Sequence, residues 1–204
     1  MRFKKLGLVE YQPVFDAMKT CTAKRTSATE DEVWLLEHHP VYTQGLLGKQ
    51  EHLINPGKIP VVQADRGGQV TYHGPGQWVA YVLYDLRRAD MNFRQLIFNL
   101  ELAVINLLSE FDISAQARSN ARGVYVGHRK IASVGLKVSR GSSYHGLSLN
   151  SHLDLTPFAG INPCGYPNLE VTSILKILGD QCPPMEDIGG HLLDQLQKGL
   201  TGPF

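Results

Sequence analysis

The sequence predicts an α+β fold, a mixed sheet packed with helices, and three observations carry that prediction. Short runs of β-branched and aromatic residues recur through the first two thirds of the chain. One long segment holds a sustained helical periodicity, and two shorter helical patterns close the chain. No internal repeat, low-complexity tract or Ser/Gly linker marks a boundary. With 204 residues, 43% of them hydrophobic, the length suits one domain, the alternative being a smaller C-terminal subdomain from residue 168.

No element is assigned before Glu32; Met1 to Glu10 mixes basic side chains with isolated apolar ones and lacks the apolar run of a signal peptide. Glu32 to Glu37 and Ile59 to Gln63 read as strands, each followed by turn-forming or charged residues. Trp78 to Leu86 is nearly uncharged and dense in strand formers, which predicts a strand covered on both faces at the sheet centre. Phe93, Leu96, Ile97, Leu100, Val104, Leu107, Leu108 and Phe111 recur at spacings of three and four, predicting a helix from Phe93 to Phe111. Asn92 is its expected N-cap, with Gln95 three residues on completing a capping box. Val124 to Val126 and Ile131 to Val138 flank Gly127 to Lys130 as a β-hairpin, which sets Lys130 where the return strand begins. Tyr144 to Leu155 reads as a further strand, and Leu169 to Leu178 and Ile188 to Leu196 as helices separated by Pro183 and Pro184.

Composition excludes several classes. Twenty basic residues against nineteen acidic ones leave a net charge of +1, without the excess expected of a nucleic-acid binder. No stretch of about 18 apolar residues offers a membrane span. Three cysteines, Cys21, Cys164 and Cys182, are too few for a disulfide framework, and a cytoplasmic location is expected.

Chemistry concentrates in two segments. From Arg66 through Gly67, Gly68, Gln69, Val70, Thr71, Tyr72 and His73 to Gln77, four glycines and a proline interrupt two strands, so backbone N–H groups can approach a ligand without side-chain obstruction. A tight hairpin turn is the plainer alternative, and neither a P-loop nor a dinucleotide fingerprint is present. The second segment, Asn162 to Pro167, sets Cys164 between two prolines, on a loop. A catalytic thiol reacts as the thiolate, and a neighbouring cation favours that form. Lys130 is the candidate cation and proton shuttle, although a lysine beside a turn is more often a solvated surface charge. Among eight histidines, none in metal-ligand spacing, His73 is the candidate to act on an acyl carbonyl or cap the turn, and His145 to line the same pocket.

Four segments in order carry a resemblance: Arg66 to Gln77, Gly123 to Gly135, His145 to Asn150 and Asn162 to Gly165. Together they resemble the lipoyl(octanoyl) transferases, from about Glu32 to Gly165, with little to compare past Gly179. The resemblance implies a biotin/lipoate protein ligase-like catalytic domain. It implies transfer of octanoyl from acyl carrier protein to a lysine of lipoyl domains, those of 2-oxoacid dehydrogenases and the glycine cleavage H protein. It implies Cys164 and Lys130 as the catalytic pair, with no metal or other cofactor. It implies substrate contact by Arg66 to His73, by Ser133, Val134 and Gly135, and by Gly146, Leu147 and Ser148. Two rivals stand beside it: an ATP-dependent lipoate or biotin ligase, which needs no cysteine nucleophile, and a noncatalytic acyl-binding module.

Overall fold

The computed structural model describes residues 1–118 and 121–201. Among the described residues ten strands form two sheets: β1 (Arg2–Val9), β2 (Glu32–His38), β3 (Val41–Gln44), β4 (Val61–Gln63), β5 (Val70–His73), β6 (Gln77–Asp85), β7 (Gln116–Ala117), β8 (Val124–Val126), β9 (Arg129–Ser139) and β10 (Ser142–Asn150). The α-helices are α1 (Tyr11–Ala23), α2 (Phe93–Ser109), α3 (Ile174–Leu178) and α4 (Met185–Thr201). The large sheet runs β1-β2-β6-β10-β9-β8-β7 and the small one β4-β3-β5. Two pairings, β1 with β2 and β3 with β4, are parallel; the rest are antiparallel.

The run from Trp78 forms β6, which lies between β2 and β10 and is buried along its whole length. Strand β10 is equally buried and is the middle strand of the seven. Because successive side chains of a strand point to opposite faces, β6 serves two cores. Trp78, Ala80, Val82 and Tyr84 pack with α2 and α4, while Val79, Tyr81 and Leu83 pack with Tyr11, Val14, Phe15 and Met18 of α1. Helix α4 is pinned to β6 near both its ends: Trp78 Nε1 donates to the Met185 carbonyl at 2.8 Å, and Tyr84 Oη to the Leu200 carbonyl at 2.8 Å. At the start of α2, Asn92 Oδ1 accepts the Arg94 and Gln95 amides, and Gln95 Oε1 accepts the Asn92 amide at 2.8 Å, closing the expected box.

Four departures have physical causes. Helix α1 shows apolar positions 11, 14, 15 and 18, a helical stripe too short to stand out beside the charged residues around it. The helix expected from Leu169 begins only at Ile174. Up to Thr172 the backbone is held extended against β9, where the Lys130 amide donates to the Glu170 carbonyl and the Thr172 amide to the Lys130 carbonyl, both at 2.9 Å. Ser173 then caps α3 by accepting the Lys176 amide at 3.1 Å. The final helix is longer than Ile188 to Leu196, starting directly after Pro184, whose carbonyl accepts the Ile188 amide. The strand expected to reach Leu155 ends at Asn150, because the Ser151 and His152 amides turn to the Gly76 carbonyl.

Candidate active site

The glycine-rich segment is not a hairpin: β5 belongs to the small sheet and β6 to the large one, so residues 74–76 carry the chain from one sheet to the other. Between the sheets lies a cavity of about 540 Å³, lined by main chain and side chains of Arg66 to Thr71 and by Ser133, Gly135, His145, Gly146 and Cys164 among others. That size is within the usual range of small-ligand sites. Every residue expected to touch substrate lines it except Tyr72. Thr71 and His73 face the cavity, while the Tyr72 ring turns away from it, 5.5 Å from Tyr42 and 5.7 Å from Phe158.

The loop is anchored to the wall opposite. The Gly67 amide donates to the Leu136 carbonyl of β9 at 3.1 Å, and Arg66 Nη2 donates to the Thr43 carbonyl and Oγ1 at 2.7 and 2.8 Å. A side chain at Gly135 would come 3.2 Å from Arg66 Cδ, and one at Gly146 would collide with the Ala80 carbonyl, so both glycines allow close approach of backbone to this wall.

From Arg66 a chain of buried hydrogen bonds runs to Thr172, in the extended segment whose backbone pairs with Lys130. Thr43 Oγ1 lies 3.3 Å from His73 Nε2, and His73 Nδ1 lies 2.7 Å from Gln77 Oε1. Gln77 Nε2 donates to Asn150 Oδ1 at 2.9 Å, and Asn150 Nδ2 to the Thr172 carbonyl at 3.0 Å. With the Gln77 amide nitrogen committed to acceptors, its oxygen takes the proton on His73 Nδ1, which leaves Nε2 to accept from Thr43. Burial pushes His73 down to about 3, helped by nearby His38, and burial likewise pushes His38 down to about 4. Both rings are neutral at pH 7. His145 also falls below its ordinary value through burial, against the pull of Asp65 2.8 Å from Nε2.

Cys164 is half-buried and occupies a single helical turn, Pro163–Gly165, in the left-handed region at φ 57°. Lys130 is the second residue of β9, just past the two-residue turn Gly127 and His128, and is 4% exposed. Its Nζ donates to Cys164 Sγ at 3.1 Å and to the Arg122 carbonyl at 2.7 Å, and stands 5.4 Å from the centre of the Tyr125 ring. The fold thus buries the lysine and brings it to the thiol across 34 residues of sequence. An ammonium at that distance is a direct ion-pair partner for a thiolate.

Sequence reasoning missed several cavity residues. Tyr11 of α1, Leu46 and Leu47 after β3, Phe93 at the start of α2, and Arg122 all line the cavity. Tyr11 belongs to the short stripe of α1, which does not stand out in the sequence, and nothing local marks the others. Of the histidine pair, His38 is buried, its Nε2 2.7 Å from Tyr81 Oη, and His39 is exposed. Among the described residues no group of three His, Cys, Asp or Glu side chains could hold a metal ion, and no helix is long and apolar enough to cross a membrane.

Residues 10–197 match the lipoyl protein ligase A/B catalytic domain, a match over most of the chain. The chain belongs to that family and, within it, to the octanoyltransferases. It is 59% identical to an octanoyltransferase of Nitrosomonas europaea over 83% of each chain. It is 50% identical to one of Neisseria meningitidis over 98% of this chain and 97% of the other, and to one of Ectopseudomonas mendocina over 98% and 96%. The enzyme is therefore an acyltransferase, and the ATP-dependent alternative is not favoured. In fold it is similar to a lipoate-protein ligase A solved with ATP, at a TM-score of 0.80 and 15% identity over 98% of this chain and 85% of that one. It is also similar to the biotin protein ligase of Aquifex aeolicus, at a TM-score of 0.59 and 14% identity over 98% and 69%.

Proposed function

We propose that the enzyme moves an octanoyl group from acyl carrier protein to a lysine of a lipoyl domain through a thioester on Cys164. The observation that carries this reading is the 3.1 Å contact between Lys130 Nζ and Cys164 Sγ, both of which line the cavity. In the first half-reaction the Cys164 thiolate attacks the carrier's thioester carbonyl. The new C–S bond forms, the old one breaks, and the departing phosphopantetheine thiolate takes a proton from Lys130. One thioester replaces another, so no ATP is consumed.

In the second half-reaction the acceptor lysine's amine attacks the acyl-enzyme and gives a proton to the now neutral Lys130. The amide forms, and the Cys164 thiolate leaves beside the regenerated ammonium. Backbone N–H groups of the Arg66 to His73 loop and of Ser133 to Gly135 supply candidate donors for the oxyanion of each tetrahedral intermediate, whereas those of Gly146 to Ser148 are taken up by pairing with β6 and β9. Val70, Val79 and Leu147 give the cavity apolar wall against which an acyl tail can pack. The acceptors are lipoyl domains of 2-oxoacid dehydrogenases and the glycine cleavage H protein. A cytoplasmic location accords with three cysteines that are all free.

The test is mass spectrometry after mixing with octanoyl-acyl carrier protein, without ATP. Wild type gains one octanoyl group, located on Cys164, and passes it to a lipoyl domain; Cys164→Ser gains none. An adduct of unchanged yield in the serine variant would refute the assignment.

A further inference from the structure

Helix α2 buries an apolar face against the large sheet, formed by Leu96, Ile97, Leu100, Val104, Leu107 and Leu108. Glu101 lies among these residues at 8% exposure, on a helix turned toward β8 and β9. A carboxylate is costly to bury unless something on the inside needs it. Its one hydrogen bond among the described residues is to the Gly123 amide, which donates to Glu101 Oε1 at 2.7 Å.

That amide is half of a peptide unit whose other half is the Arg122 carbonyl, the acceptor for Lys130 Nζ at 2.7 Å. The peptide is planar, so fixing its N–H fixes its C=O. Gly123 adopts φ 123°, and a side chain there would come 2.6 Å from Lys130 Cε and run into the Ala132 carbonyl, so this peptide is wedged against the lysine itself. We propose that Glu101 is a positioning residue for Lys130, acting through the Arg122–Gly123 peptide to hold Nζ against the sulfur of Cys164.

Burial raises the Glu101 carboxyl above its ordinary value, while the Gly123 N–H and the charges of Arg122 and Lys130 work in the opposite sense. The carboxylate and the ammonium thus bracket one peptide, each hydrogen-bonded to the end of the dipole that suits its charge. The inference rests on the proposed pairing of Lys130 with Cys164. Nothing in it requires Glu101 to touch substrate.

The test reads the thiol directly, as the rate of Cys164 alkylation by iodoacetamide across about pH 6 to 9, with the modified peptide identified by mass spectrometry. Charged and titratable groups facing the pair are Arg66 before β5, Arg122 before β8, Tyr125 of β8 with Arg118 over its ring, and His52 beside Gly165. All of these are left unchanged. Glu101→Ala is expected to slow alkylation at neutral pH by about tenfold or more and to move the rise of the profile to higher pH, in the same direction expected of Lys130→Ala. Glu101→Gln keeps an oxygen for the Gly123 N–H and should stay within about threefold of wild type. Glu101→Asp keeps the charge but withdraws the oxygen, so it should behave like alanine; it carries the test if the alanine variant does not fold.

Added to Lys130→Ala, a Glu101 change should have no further effect, because the group it positions is gone. A wild-type profile in the folded alanine or aspartate variant, or an undiminished extra loss in the Lys130→Ala background, overturns the proposal. If Lys130→Ala itself alkylates like wild type, the pairing is wrong and this inference falls with it; if Lys130→Ala is slow but the Glu101 variants are not, only the inference falls.

Discussion

Gly123→Ala is the sharpest perturbation of the proposed chemistry, because it displaces the lysine while replacing neither Lys130 nor Cys164. A methyl group at position 123 would stand 2.6 Å from Lys130 Cε, about 0.8 Å short of an ordinary 3.4 Å contact, and 3.1 Å from Nζ. Backbone cannot give way on the other side, where the Ala132 carbonyl of β9 is also in the path. The lysine must therefore retreat by roughly that distance, which takes Nζ from 3.1 Å toward about 4 Å from the sulfur and weakens its hydrogen bond to the Arg122 carbonyl. Misplacement of a catalytic group by about 1 Å commonly costs up to a hundredfold, so acylation should fall by about ten- to a hundredfold. The φ of 123° adds a conformational cost of about 1–3 kcal/mol in alanine, read as a lower melting temperature. The assay is single-turnover formation of octanoyl-enzyme followed by mass spectrometry, with circular dichroism to show that the variant is folded. A folded variant that acylates within about twofold of wild type would show that the position of Lys130 does not govern the reaction.

Two further outcomes follow from the site. Tyr72→Phe should leave kcat/KM for octanoyl transfer within about twofold of wild type, because the ring packs on Tyr42 and Phe158 away from the cavity; a tenfold loss would mean that Tyr72 reaches the substrate. Stability should fall as pH drops below about 6.5, because His73 and His38, held near 3 and 4, stay neutral in the fold while the unfolded chain takes up their protons. The loss is at most about 1.4 kcal/mol per histidine per pH unit until the folded rings titrate. Urea midpoints that are equal at pH 7 and pH 5 would contradict this.

The α+β class, the long helix with its Asn92 and Gln95 box, the fully covered strand at Trp78 and the hairpin turn before Lys130 were all legible. Each depends on side-chain periodicity or on the conformational preferences of a few adjacent residues, which local sequence encodes. Order among the four chemical segments was legible too, as a resemblance, and every substrate-contacting residue it implied lines the cavity except Tyr72.

Other features were decided only by residues far apart in the chain. Strands β5 and β6 look continuous across residues 74–76 but enter different sheets, and that partition opens the cavity. Residues 170–172 carry helical periodicity yet are held extended because the backbone of Lys130 takes their hydrogen bonds. The burial of Lys130 beside Cys164, and the placing of Glu101 behind the peptide that Lys130 grips, depend on β9, α2 and the loop before β8 converging. A local pattern states which face of an element is apolar; only the packed chain decides which polar groups meet once those faces are covered.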